Sequence, residues 1–337
     1  TMSSRKLAKF LAIKHAIGRL YRFFREWVAI PWNYAADRWS YMRFSGSFWP
    51  SRSREALQGL IMRLYHGLEV GLTYADPRPG FGYKVANDLL GYLQTYVGKY
   101  GADRCAHIAA NVLRQYFERQ STLGASLEKL QKRFSDLQGE LGDTQFAGGV
   151  KELRREEIQS ASAIDFSRFV CSRHSFRRYE NKPVPIDTLQ KAVAMAVQSP
   201  SACNRQPVRV HVLEDPAIRD RVLTVQNGNR GWRDQPDRIL LVSCDSRFYK
   251  ESRERNAAYI DGGLFAMSLL YALHSLGVGT CCLNLNLTAA AARRIRKAVG
   301  LPGSSVLILL IAAGHLPETI TVAASVRRNL DEVLHVI

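Results

Sequence analysis

The sequence predicts an α+β fold preceded by an all-helical region, on three observations. Between Asp187 and Ala313, apolar runs of strand length alternate with segments of helical periodicity. The run Ala257 to Leu276 is apolar almost all round, as expected of a helix buried between layers. From Glu55 to about Asp165 the pattern is helical throughout. Helices on a mixed central sheet make a three-layer sandwich. A chain of 337 residues is long enough for two domains with sizeable cores, and we divide it into 1–54, 55–160 and 165–337.

The first segment is set apart by charge. Residues 1–54 carry eleven Lys or Arg against Glu26 and Asp37, and four of the five tryptophans, Trp27, Trp32, Trp39 and Trp49, lie there. From Leu7 to Val28 the apolar residues Leu7, Phe10, Leu11, Ile17, Leu20, Phe24 and Trp27 recur at helical spacing with cations in the gaps, which predicts a basic amphipathic helix. Charges interrupt it too often for a membrane span or a signal peptide. Residues 5–30 suit an anionic membrane surface, and equally a helix packed on a neighbouring domain or subunit. No recognition motif accompanies the charge, so nucleic acid is set aside.

Residues 55–160 predict four helices: one with Leu57, Leu60, Ile61, Leu64, Leu68 and Leu72 on its inner face, then Lys84 to Tyr100, Ala102 to Gln120 and Ser126 to Leu141. His66 and Glu69 share a face and are read as a structural pair. Gly148, Gly149 and the charged run Lys151 to Glu157 mark the junction. Beyond it, Asp187 with Gln190 reads as a capping box, Val208 to Leu213 as a strand, Asp215 to Val225 as a helix and Arg238 to Cys244 as a buried strand. Cys281 to Asn286, Thr288 to Val299 and Val306 to Ala313 complete the set as strand, helix and strand.

Six cysteines with no Cys-x-x-Cys spacing argue against a zinc site or a disulfide framework, and no metal is expected; a reducing cytoplasm is the default. A net charge of +17 and a pI of about 9.8 favour anionic partners. The chemistry concentrates in two stretches. Ser172 to Tyr179, S-R-H-S-F-R-R-Y, sets three arginines, a histidine and hydroxyls around only two apolar rings, which suits a phosphate monoester rather than a core. Ser199 to Pro207, S-P-S-A-C-N-R-Q-P, places short polar groups between apolar runs, as the edge of a flat polar ring requires. Cys203 has no identifiable base and reads as a packing residue.

These residues resemble the FMN-dependent nitroreductases. Arg173, Ser175, Arg177 and Tyr179 match that family's opening pattern; Ser199, Pro200, Ser201, Asn204, Gln206 and Pro207 match its second. Leu276 to Thr280, and Gly314, His315, Arg327 and Arg328, follow in the expected order. His66 to Leu72 is similar to a signature of nitroreductase-like proteins of bacterial polysaccharide biosynthesis, with Gly67 and Val70 replacing two cations. The resemblance implies a homodimer using FMN with NADH or NADPH, in ping-pong hydride transfer through flavin N5 to a small-molecule acceptor. Arg173, His174, Ser175 and Arg177 would hold the phosphate and ribityl side, with Arg327 and Arg328 completing the clamp. Pro200, Ser201, Asn204 and Gln206 would line the flavin edge, often across the dimer interface, and Cys282 and Asn284 would lie near N5. No side chain is expected to act as a covalent catalyst. Val208 stands where many relatives carry a large aromatic, and the connection from Cys244 to Ala257 is short, so the helical half is expected to cover the pocket. The protein would be cytoplasmic, with peripheral attachment at the inner membrane face through the basic helix. Two other readings stay open: a flavin oxidase acting on a bound intermediate, and a flavin- or membrane-binding module without turnover.

Overall fold

The computed structural model describes residues 4–46, 53–141 and 148–337; Trp49 and Arg52 of the basic segment lie outside them. Helix α1, Ser4–Phe44, is far longer than the predicted Leu7 to Val28 and runs through Pro31. A proline inside a helix removes one ladder bond, here to the Trp27 carbonyl, without forcing an end where the flanking turns are held. They are held by the body of the protein. The Ala289 N–H donates to Asn33 Oδ1 (3.0 Å), the Tyr41 hydroxyl to the Glu251 carbonyl (2.6 Å), and the Gly46 N–H to the Tyr249 carbonyl (2.7 Å).

Four helices follow: α2 (Arg54–Leu72), α3 (Tyr83–Tyr100), α4 (Arg104–Thr122) and α5 (Glu128–Leu141). They share one apolar core built from Leu57, Ile61, Leu89, Leu93, Leu113 and Leu130, among others. Ser53 caps α2 and Asp103 caps α4, which moves the start of α4 two residues past the predicted Ala102. His66 Nδ1 lies 3.2 Å from Glu69 Oε2, and the other Glu69 oxygen accepts from the Gly149 N–H, so this pair ties α2 to the chain beyond the bundle. The charged run read as a junction forms the exposed helix α6 (Arg155–Ser162), and α7 (Phe166–Ser172) follows. The sequence reading took the chain as helical to about Asp165 but set no bounds for a helix at the junction, because α6 has no buried face to produce a periodic signal.

The second core surrounds a sheet of β1 (Val208–Val212), β2 (Arg238–Asp245), β3 (Val278–Asn284) and β4 (Ser305–His315), in the order β1-β2-β4-β3. All three pairings are antiparallel, and the parallel component expected of a mixed sheet is one isolated bridge, Ser175 to Thr280. Strand alternation divides the apolar residues between two faces. Leu240, Val242 and Ile311 meet α8 (Ile186–Ala196) and α10 (Ala257–Ser275) on one side; Ile239, Leu241 and Leu310 meet α9 (Pro216–Val225) and α11 (Ala289–Val299) on the other. That is the three-layer α+β arrangement. The expected capping box at Asp187 does not form: Pro185 occupies the N-cap, leaving Asp187 in the first turn beside the helix dipole. β3 starts three residues before the predicted Cys281, because Gly277 at φ +73° reverses the chain straight into the strand.

The helical half is seated on the sheet half through α2. A Cβ on Gly59 would lie 2.7 Å from the Phe248 carbonyl oxygen, so only glycine permits this approach. Arg63 pairs with Glu251, and Arg247 with Glu55 at 2.8 Å.

Candidate functional site

The stretch after α7 is extended and pinned at the free edge of β3 and then at the end of β4. The Phe176 N–H donates to the Thr280 carbonyl (2.9 Å), and the Glu180 N–H to that of His315 (2.9 Å). Phe176 and Tyr179 turn inward and are buried; the Tyr179 hydroxyl donates to the Phe176 carbonyl at 2.7 Å. The Tyr179 ring covers Gly314, where a Cβ would come within 2.7 Å of it, which accounts for the glycine ahead of His315. With the two rings committed inward, Arg177 and Arg178 are left outside, while Arg173, His174 and Ser175 are half-buried.

The cations there are uncompensated. Among the described residues, Arg173, Arg177 and Arg178 have no carboxylate within ion-pair distance. Arg177 bonds only a neighbouring carbonyl, that of Ser175 (3.3 Å), and lies 6.0 Å from the centre of the Trp232 ring. Burial raises the thiol pKa of Cys281 and Cys282, with Arg173 acting in the opposite direction on both and Arg177 on Cys281, so both guanidinium groups are felt at the strand edge. By two-residue alternation from Thr280, Cys282 turns its backbone N–H to the same free edge. Several guanidinium groups, a serine and strand-edge N–H groups form a donor set with the chemistry of a phosphate and polar-ring site. The residues fit the group that the sequence predicts.

The second stretch lies elsewhere. It leads into β1, at the opposite edge of the sheet, three strand spacings or roughly 14 Å from β3. Pro200, Ser201, Gln206 and Val208 line a cleft of about 170 Å³ there. Cys203, Asn204 and Gln206 all hold φ near +50°, a conformation that non-glycine residues adopt only when their surroundings enforce it. The surroundings do so through Arg205, which is 1% exposed. Its guanidinium bonds Glu254 and the Ala202 carbonyl and lies 5.1 Å from the Tyr249 ring centre, while Asp261 accepts from the Ala202 N–H (3.1 Å) and the Tyr249 hydroxyl (2.8 Å). Burial would raise the Glu254 carboxyl. Bonds from Arg205 and from the Lys250 and Glu251 N–H groups outweigh it and hold the pKa below the ordinary value. Helix α2 packs directly against the turn Ala202–Asn204.

The chain therefore brings Arg173, His174, Ser175 and Arg177 together with Cys282, and gathers Pro200, Ser201, Asn204 and Gln206 separately. Asn284 is exposed at the end of β3, where its carbonyl accepts from Gln226. Arg327 and Arg328 lie on an exposed tail: Arg327 bonds the Ser325 carbonyl, and Arg328 lies 3.9 Å from Glu332. Sequence reasoning missed Arg205, Glu254, Asp261 and Trp232. Arg205 is far in the chain from Glu254 and Asp261, and only Arg205, set between named motif positions, gave any local sign.

The chain matches the nitroreductase family over residues 170–229 and 225–315. It is similar to an NADH dehydrogenase of Thermus thermophilus, 23% identical over 185 residues, 46% of this chain and 88% of that one. Among solved structures it is similar to a nitroreductase family protein of Streptococcus pneumoniae (17% identical, 51% of this chain and 100% of that chain, TM-score 0.44). Another is an FMN-dependent nitroreductase of Clostridium difficile (18%, 47% and 91%, TM-score 0.40).

Proposed function

With a nitroreductase-family oxidoreductase domain spanning residues 170–315 as the premise, we propose that this chain is an FMN-dependent NAD(P)H oxidoreductase working as a homodimer. The observation that carries the reading is the uncompensated arginine cluster along the β3 edge, inside the family-matched segment. FMN, when bound, accepts a hydride from NADH or NADPH and passes two electrons to an acceptor in a separate half-reaction. Arg173 and Ser175 would grip its phosphate, and Arg177 would hold negative charge that develops on the ring. The Cys282 N–H would donate at the ring edge. Asn204 and Gln206, kept at the surface by the Arg205 anchor, would orient the ring and the acceptor from the partner copy, since one copy holds the two loops at opposite sheet edges. α2 would limit water on that side. Residues 165–337 would then be the FMN-binding unit and 55–160 its cover, with the acceptor a small molecule of polysaccharide or lipid-linked metabolism.

The dimer reading has its own support. α10 contains no Lys or Arg and exposes Ile260, Leu264 and Met267 along one face. An apolar face without charge suits burial against an identical face.

The test is an anaerobic absorbance spectrum of the purified protein with NADPH, then NADH. A flavin band that bleaches with either supports the reductase. Flavin that is retained but stays oxidised rejects it in favour of the oxidase or the non-turnover module, and a protein that cannot be loaded with FMN rejects the cofactor.

A further inference from the structure

The longest helix of the molecule plays no part in the site described above, and its surface is unusual. From Ile17 to Met42, α1 exposes Phe24, Trp27, Trp32, Tyr34 and Trp39 at 57 to 73% of their full area. Its 41 residues contain nine Lys or Arg against Glu26 and Asp37. Asn33 and the α11 N-terminus fasten its C-terminal half to the body, so the helix presents this surface in a fixed orientation. α11 has four cations and no carboxylate; Arg293, Arg294 and Lys297 are exposed, and Arg296 is electrostatically coupled to Asp37 of α1. No helix among the described residues is long and apolar enough to cross a membrane.

We propose that α1, with the basic α11 beside it, is a docking surface for an anionic lipid bilayer. Its Trp, Tyr and Phe side chains enter at headgroup depth and its cations meet lipid phosphates. Aromatic rings with one polar end favour that depth, and each nearby cation adds attraction to anionic headgroups. Charge decides against the other occupant, a second copy of this chain. An isologous contact would set one strongly positive helix, nine Lys or Arg against two carboxylates, against its twin. The uncharged face of α10 already meets the requirement of a dimer.

The test uses the full chain and sedimentation with vesicles of phosphatidylcholine, alone or mixed with phosphatidylglycerol. Because it requires no bound flavin, its result is independent of the reading of the redox site. The expected result is co-sedimentation with the mixed vesicles only, weakened by added salt and reduced at least about tenfold in W27E/W39E and in R38E/R294E. Circular dichroism of both variants confirms that they remain folded. Failure to sediment with mixed vesicles at low salt overturns the proposal. So does binding that neither variant weakens. A dimer or larger assembly that W27E/W39E dissociates, without any vesicle binding, would assign the face to a second copy and also overturn it.

Discussion

Arg205 and Arg177 stand in two short polar loops flanking one sheet, and they have opposite surroundings. Arg205 is buried, paired with Glu254 and set near the face of Tyr249, with its bonding capacity turned inward to hold a loop of left-handed residues. Arg177 is exposed and unpaired, resting near Trp232 with most of its donors free. An arginine that has a carboxylate is part of the scaffold, while one without is available to a ligand. The pairing, rather than the residue type or the motif around it, separates the two roles.

The sharpest way to break this comparison is to remove the paired one. Truncating Arg205 leaves the Glu254 charge poorly solvated and removes the bonds that hold the turn of Cys203, Asn204 and Gln206 in place. Arg205→Ala should therefore cost about 3–5 kcal/mol in urea or thermal unfolding. A loss within about 0.5 kcal/mol, the usual range for surface changes, would mean that Arg205 is not the anchor.

Removing an unpaired arginine should give the reverse pattern. Arg173→Ala and Arg177→Ala should each weaken FMN retention about 10- to 100-fold, the worth of a hydrogen bond to a charged group, while the unfolding midpoint stays put. A large fall in stability with retention unchanged would place these two with Arg205. Complementation sharpens the point. If the loops of two copies build each site, co-expressing Arg177→Ala with a Gln206→Ala/Asn204→Ala chain should restore about a quarter of the sites, one intact site in each mixed dimer. Were both loops of one copy to serve one site, mixing would restore none.

How much of this was legible in the sequence follows from where each signal is encoded. The sheet, α10 and the helical bundle were readable because buried faces impose a period, as Leu57, Ile61 and Leu68 do on α2. The S-R-H-S-F-R-R-Y stretch was readable because the alternation of ring and cation is local. The bounds of α6 were not, since an exposed helix has no buried face to give it a period. The antiparallel pairing of all strands escaped too, because partner choice is set by contacts between distant segments such as β2 and β4. The burial of Arg205 escaped as well. Its partner Glu254 lies 49 residues away, and burial of a cation leaves no mark on composition.

The smallest expected effect tests the comparison from the carboxylate side. Glu254 is held below the ordinary carboxylate pKa of about 4.3 in the folded state, because its bonds to Arg205 and two backbone N–H groups outweigh the cost of its burial. A depressed folded pKa means that the unfolded chain binds the proton more readily. The contribution is therefore complete above the unfolded value and is lost as the pH falls through the folded one. Acid should loosen the loop before β1 by protonating Glu254, while the arginines by β3, having no carboxylate partner, lose no such pair. Unfolding measured from neutral pH down through the carboxylate range should show a steeper loss in the native chain than in Arg205→Ala, where the principal bond that depresses Glu254 is gone. Asp103, which is depressed by bonds from Tyr96 and Arg54 against its burial, and Glu251, which is depressed by Arg63 and Arg253, remain in both proteins and cancel in the difference. Equal slopes would mean that the Arg205 to Glu254 bond does not set the proton affinity of this loop, and the distinction between a structural and a ligand-facing arginine would then rest on burial alone.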